Sequence, residues 1–184
     1  MAQQKPSGIS SPRRISIVGT IGSGKTTCAR EVSERLGIPH IELDSLHWEA
    51  DWVEAPNAVF RERAMQSLQS DSWVVDGNYH QVRGIVWSRA DTVVWLDYKF
   101  RTIMRRLIRR TLGRIFTQEK LWKGNQEHLR SLITADSVIL WALKTYCRRK
   151  REYPALFSHP ENSHLTVVRL SSPEETKKWL STLR

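Results

Sequence analysis

The stretch "GTIGSGKTT", Gly19 to Thr27, concentrates glycine, lysine and threonine in one short run. Gly19, Gly24, Lys25 and Thr26 have the spacing G-x-x-x-x-G-K-[ST]. Glycines at such spacing let successive backbone N–H groups turn toward one point without Cβ clashes. That is the chemistry of holding a phosphate chain. The span Gly19, Thr20, Ile21, Gly22, Ser23, Gly24, Lys25, Thr26 and Thr27 is therefore the candidate cradle for ATP. Lys25 is placed to reach the β- and γ-phosphates, and the Thr26 hydroxyl to ligate Mg²⁺. Gly22 is extra to the motif.

The elements on either side have to aim this loop. "ISIV" (15–18) is a short apolar run rich in β-branched residues and reads as a buried strand. "KTTCAREVSERLG" reads as a helix stopped by Gly37, with Pro39 just beyond. A helix starting at the loop adds unpaired donors and the positive end of its dipole. Further strands are predicted at 40–43, 73–75, 91–96 and 164–170, and helices at 57–69, 99–111, 125–147 and after Pro173. Alternation of this kind predicts a mostly parallel three-layer α/β fold with right-handed crossovers. A weakly periodic stretch, 112–125, reads as a mobile insert, with Gly113 and Gly124 at its ends as hinges and Arg114 and Lys120 to add charge on closure.

Ligands of such sheets bind beyond the carboxyl ends of the strands. Asp44 follows the second predicted strand and suits an acceptor contact that takes a hydroxyl proton; the competing reading is an N-cap of a short turn. Asp76 and Gly77 follow the third strand. Asp76 suits the Mg²⁺ shell and Gly77 a close substrate approach, unless "DGN" is a plain turn. Asp97 ends the fourth strand and is read as a cap for the basic helix, with a metal-facing acid as the alternative. Arg101, Arg105 and Arg109 recur at i+4 on one face, with Arg106 and Arg110 in the next row. Like charges this close invite a bridging anion, and guanidinium suits phosphate; a solvated basic face is the alternative. Trp48, Trp52 and Tyr79 either wall a substrate pocket or cover the core. His47, His80 and His128 have no metal-ligand spacing.

The 184-residue chain carries a net charge of +10 and 40% hydrophobic residues, which suits one domain (13–184) behind a short leader (1–12). The leader has no signal-peptide core and no apolar run is long enough to span a membrane, so the expectation is a cytoplasmic protein. Cys28 and Cys147 are too few for a disulfide framework or a metal cluster. The charge points to phosphorylated small molecules or nucleic acid. No helix-turn-helix, zinc finger or RNA-binding signature is present, so nucleic acid is not favoured. A second basic cluster, Arg148 to Arg151, keeps that alternative in view.

At these residues the chain resembles the adenylate-kinase-like P-loop kinases, and within them the DNA topology modulation proteins. The pieces are "VGTIGSGKTT", "ELDSLHWEADW", "WVVDGNY", "ADTVVWLDYKFRTIMRRLIRR", "GNQEHL" and "WALKTY", spread from about Arg14 to Leu183. The resemblance implies a five-stranded parallel sheet of order 2-3-1-4-5, a substrate-binding segment after the second strand (about 44–72) and a helical lid after the fourth (about 112–125). It implies an ATP- and Mg²⁺-dependent phosphotransferase acting on a small molecule. Lys25, Asp44, Arg105 and Arg109 are then catalytic, with Arg105 and Arg109 as lid-base arginines. Asp44, Trp48, Asp76, Gly77 and Tyr79 contact the substrate, and Thr26 and Asp76 the metal. Asp44 is similar to the second-strand acid of sugar and shikimate kinases. The proline-arginine pair that follows Asp-Gly in nucleotide kinases is absent from "DGNY", which counts against adenylate kinase itself. The lid lacks four zinc-binding cysteines.

Overall fold

The computed structural model describes residues 12–117, 122–124 and 138–183. Its five strands are β1 (Arg14–Gly19), β2 (His40–Glu42), β3 (Trp73–Asp76), β4 (Thr92–Leu96) and β5 (Thr166–Leu170). All pair in parallel in the order β2-β3-β1-β4-β5, which is the three-layer α/β architecture expected. The central strands β1, β3 and β4 are buried on both faces, which is why they read as continuous β-branched runs. Register places Ile17 opposite Asp76 and Gly19 opposite Leu96, so the carboxyl ends of β1, β3 and β4 meet at one edge.

Alternation along the strands divides the core in two. Val75, Val93 and Trp95 face a layer containing Leu43, Phe60, Ala64, Val82, Trp87 and Tyr153. Ile15, Ile17, Val74 and Val94 face Cys28, Ala29, Val32, Ile103 and Leu180. The first layer is built by α2 (Leu43–His47), α3 (Asn57–Ser67), α4 (His80–Trp87) and the end of α6 (Val138–Phe157). The second is built by α1 (Lys25–Leu36), α5 (Phe100–Thr117) and α7 (Pro173–Leu180). Trp73, Trp87 and Trp95 are core residues. α1 ends as expected at Gly37, whose φ of 63° lets its N–H bond Ser33 O. α7 is capped by Ser172, which accepts from Glu175 N–H at 3.2 Å behind Pro173.

α4, α5 and α6 differ from the sequence expectation. α4 was not anticipated, because "HQVRGIVW" has a central glycine and β-branched residues; the parallel crossover from β3 to β4 imposes the helix. α5 runs on to Thr117, so Gly113 lies inside a helix and not at a hinge. α6 reaches Phe157, ten residues beyond its predicted end, with Pro154 inside it. Residues 125–137, where that helix was expected to begin, fall outside the described residues, as do Lys120, His128 and the leader. Among the described residues no helix is long and apolar enough to cross a membrane.

Candidate active site

Gly19 to Gly24 carries the chain from β1 into α1. Gly22 (φ 79°) and Gly24 (φ 89°) occupy the left-handed region that side chains disfavour. A Cβ on Gly22 would lie 3.0 Å from Ile103 O and 3.1 Å from Leu107 Cβ, so α5 presses against the loop. At Gly19 a Cβ would meet Leu96 O and Ser23 Oγ, both at 2.8 Å. Thr20 and Ser23 are buried; Ile21, Lys25 and Thr26 are half-buried and Thr27 is exposed. The Lys25 ammonium is pulled down to about 8, first by its removal from water and then by Arg149, with Arg110 adding to the effect. The charges of Asp44 and Asp76 act in the opposite direction. An anion among Lys25, Arg110 and Arg149 would hold the lysine charged.

The arginines at the loop come from two helices. Arg106 donates to Ser23 O at 3.3 Å, and its guanidinium lies 5.3 Å from the centre of the Tyr98 ring. A Cβ on Gly24 would meet the same guanidinium at 3.2 Å. Arg149, buried on α6, donates to Gly19 O at 3.3 Å. Arg101, Arg105 and Arg109 do share a face, but it is exposed; Arg105 and Arg109 line an open concavity with Thr102 and Arg106. Of the α5 arginines, Arg106, itself exposed, is the one bonded to the loop, and the charge of Arg110 also acts on Lys25; buried Ile103 and Leu107 set this phase.

The carboxylates lie across from these cations. Asp76, buried at the end of β3, accepts from Thr26 Oγ1 at 2.8 Å on Oδ2, and its Oδ1 is 2.8 Å from His40 Nε2. A hydroxyl and a carboxylate side by side are the hard oxygen donors that suit Mg²⁺. Asp44 sits in the first turn of α2, and the residue before that helix is Glu42, so the N-cap reading does not hold. Tyr79 OH donates to Asp44 Oδ1 at 2.5 Å. Burial, and then the charge of Asp44, push the Tyr79 phenol far up, so it remains a donor. Asp44 and Asp76 both act on Lys25, which places them on one site.

Gly77 has a local packing reason. A Cβ there would lie 2.7 Å from Leu43 Cβ and 2.9 Å from Leu43 Cδ1, so the glycine admits α2 to the sheet end. Asn78 next to it binds the loop base: Oδ1 accepts from Gly19 N–H at 3.1 Å and from Tyr153 OH at 2.8 Å, and Nδ2 donates to Gly19 O at 2.5 Å. An aromatic group adjoins Asp44. His47 lies 4.4 Å from Tyr79 and 4.9 Å from Trp48 by ring centres, and Trp48 meets Trp52 edge-on at 5.5 Å. Besides the end of α5, the described part of the predicted lid is Trp122–Gly124, and it reaches the start of α2: Trp122 Nε1 donates to Glu42 Oε2 at 3.0 Å.

Asp97 is no helix cap. Its buried carboxylate accepts from Arg169 at 2.6 and 2.9 Å, with Lys150 at 3.6 Å. The basic cluster 148–151 therefore divides: Arg149 points inward, Lys150 pairs with Asp97, and Arg148 and Arg151 are exposed. Sequence reasoning did not single out Arg149 and His40 for this site, and noted Asn78 only as a position just past the third strand. For Arg149 a signal existed: Ala142, Thr145, Arg149 and Tyr153 are buried at helical spacing, a stripe visible once the helix is carried to 157.

Residues 15–121 match the AAA domain family. No match is found among curated proteins. Among solved structures, a shikimate kinase from Bacteroides thetaiotaomicron aligns with a TM-score of 0.54 at 14% identity, over 94% of this chain and 97% of that one. A shikimate kinase from Aquifex aeolicus vf5 aligns with a TM-score of 0.52 at 16% identity, over 92% of this chain and 95% of that one. At these identities the likeness is one of fold alone: a parallel five-stranded α/β sheet flanked by helices.

Proposed function

We propose that this chain, which belongs to the AAA domain family, is an ATP-dependent phosphotransferase whose acceptor is a hydroxyl group of a small molecule. The observation that carries this reading is the Asp44–Tyr79 pair, which shares its electrostatic site with the P-loop lysine. A monophosphate acceptor is already an ionised nucleophile and needs cations around it. A hydroxyl acceptor has a high pKa and gains from a fixed carboxylate. Asp44, oriented by a phenol that stays protonated, is such a carboxylate.

The roles follow from position. The loop amides and Lys25 hold the β- and γ-phosphates, while Arg106, Arg110 and Arg149 neutralise the charge of the transferred group. Thr26 and Asp76 would hold Mg²⁺, which would supply positive charge against the phosphates. The acceptor oxygen forms a bond to the γ-phosphorus as its proton passes to Asp44, and the bond from that phosphorus to the β,γ-bridging oxygen breaks to release ADP. Trp48 and Tyr79 flank the acceptor. The segment 44–72 and the lid, about 112–125, supply the enclosure that excludes water. The sequence pieces named above support membership of the DNA topology modulation protein family, a name that describes a supercoiling phenotype and by itself implies no DNA contact.

The test is an ATP-consumption screen across nucleosides, nucleotides, sugars and hydroxy acids, with Lys25→Ala as the blank. Stimulation by a hydroxyl compound that requires both Lys25 and Asp44 is the expected result. Stimulation by monophosphates alone would overturn the hydroxyl assignment, and consumption independent of every acceptor would leave an ATPase. One observation favours a second reading, a regulator associated with nucleic acid: Arg101, Arg105, Arg109, Arg148 and Arg151 are exposed. An ATP-dependent duplex DNA complex that survives near-physiological salt would support it.

A further inference from the structure

We infer that His40 is a positioning residue for the cation of the P-loop site, acting through Asp76. This inference rests on the reading of Thr26 and Asp76 as metal-facing groups. His40 opens β2, and the register sets Glu42 beside Asp76 and His40 beside Val74. Residues 40 and 42 lie on one face of β2, as 74 and 76 do on β3, so His40 is the diagonal neighbour of Asp76. The imidazole spans that diagonal, with Nε2 2.8 Å from Asp76 Oδ1.

The opposite oxygen, Oδ2, accepts from Thr26 Oγ1 at the same distance of 2.8 Å. The two contacts come from separate elements, an edge strand and the first turn of α1. Together they fix the plane of a carboxylate whose side chain is 4% exposed, beside an imidazole that is 14% exposed. An ionised carboxylate only accepts, so Nε2 carries a proton in this pair. The Thr26 hydroxyl spends its hydrogen on Asp76 and keeps its lone pairs for a cation. Without His40, Asp76 would be held by Thr26 alone and could rotate out of the orientation that serves the metal's water shell. Outer partners of this kind affect metal affinity by about 10- to 100-fold.

The test measures nucleotide affinity by calorimetry with and without Mg²⁺, in the wild type, His40→Leu and His40→Gln. Glutamine places an N–H₂ donor near the position of Nε2; leucine offers none. His40→Leu should leave Mg²⁺-free nucleotide affinity within about twofold and reduce the Mg²⁺-dependent gain by roughly tenfold or more. His40→Gln should restore most of that gain. In an Asp76→Asn background His40→Leu should add little, because the group it positions has lost its charge. Thermal melting of each variant separates folding from binding. Equal loss with and without Mg²⁺, no loss in either, or failure of glutamine to restore the gain would overturn the inference while leaving the phosphotransfer reading in place. A wild type whose nucleotide affinity ignores Mg²⁺ would overturn the metal reading and this inference together.

Discussion

Replacing Asp44 by asparagine tests the assignment of the acceptor most directly. The substitution keeps the shape of the side chain and removes its ability to take a proton. A positioned general base contributes about 10²- to 10⁴-fold, and acceptor-dependent turnover should fall by that amount. Nucleotide affinity should hold or rise, because the Asp44 charge near Lys25 opposes an incoming polyphosphate. Tyr79→Phe adds the second arm of a cycle. It removes a hydrogen bond to a charged acceptor, an interaction of about 1.5–3 kcal/mol, which sets a ceiling of roughly 10- to 150-fold on the loss. In the Asp44→Asn background the phenol meets a neutral oxygen, where such a bond contributes about 0.5–1.5 kcal/mol, so the loss should shrink to roughly tenfold or less. Steady-state ATP consumption with the acceptor found by screening gives the rates, calorimetry the nucleotide affinities, and thermal melting the folding control. Two results would refute the reasoning. One is weakened nucleotide binding by Asp44→Asn with acceptor turnover intact. The other is an equal loss from Tyr79→Phe in both backgrounds.

Other sites give sharp contrasts. Gly22→Ala should destabilise the fold by about 2–3 kcal/mol, because it forces a side chain to φ 79° and sets its Cβ 3.0 Å from Ile103 O; Gly113→Ala, with open space around its Cβ inside α5, should stabilise by up to about 1 kcal/mol, both read by urea unfolding. Arg149→Ala should weaken nucleotide binding by roughly tenfold, and Arg149→Lys should fail to restore it, because a guanidinium's planar fork is lost; calorimetry on both variants checks this. A thiol reagent on the native protein should show one fast cysteine, Cys147, and release the buried Cys28 only on denaturation. Two fast thiols would mean that α1 does not pack on the sheet as described.

The parts of this protein that were legible in the sequence are those where local chemistry and local geometry coincide. The glycine loop is one, since the motif glycine before Lys25, Gly24, sits at a φ of 89° that side chains disfavour. The buried strands are another, since β1, β3 and β4 are covered on both faces and leave uninterrupted apolar runs. Asp44 and Asp76 were singled out because ligands of such sheets bind beyond the carboxyl ends of the strands. At Gly77 the sequence could not show the packing demand for a bare Cα, which comes from Leu43 on another element. α4 was invisible because tertiary context, and not propensity, makes "HQVRGIVW" helical. His40 was illegible because its partner, Asp76, lies 36 residues away, and Asn78 was placed past the third strand without its partner Gly19, 59 residues away.

The arginines of α5 show why a charge pattern locates a helix more readily than a site. Both Arg101/Arg105/Arg109 and Arg106/Arg110 repeat at i+4, so periodicity alone makes either row a candidate for the phosphate. What separates them is the apolar phase. Ile103 and Leu107 are buried, Gly22 packs on both, and the arginines flanking that stripe, 106 and 110, are therefore the ones turned toward the loop. On the sequence, Ile103 and Leu107 compete with Ile108 and Leu112 for the core side of the helix. Ile108 and Leu112 are 41% and 39% exposed, and had they been the buried pair the other arginine row would have faced the nucleotide. The choice is made by the close approach of α5 to Gly22, a contact between the helix after β4 and the loop after β1. The glycine that the loop motif does not require thus decides which arginines serve it.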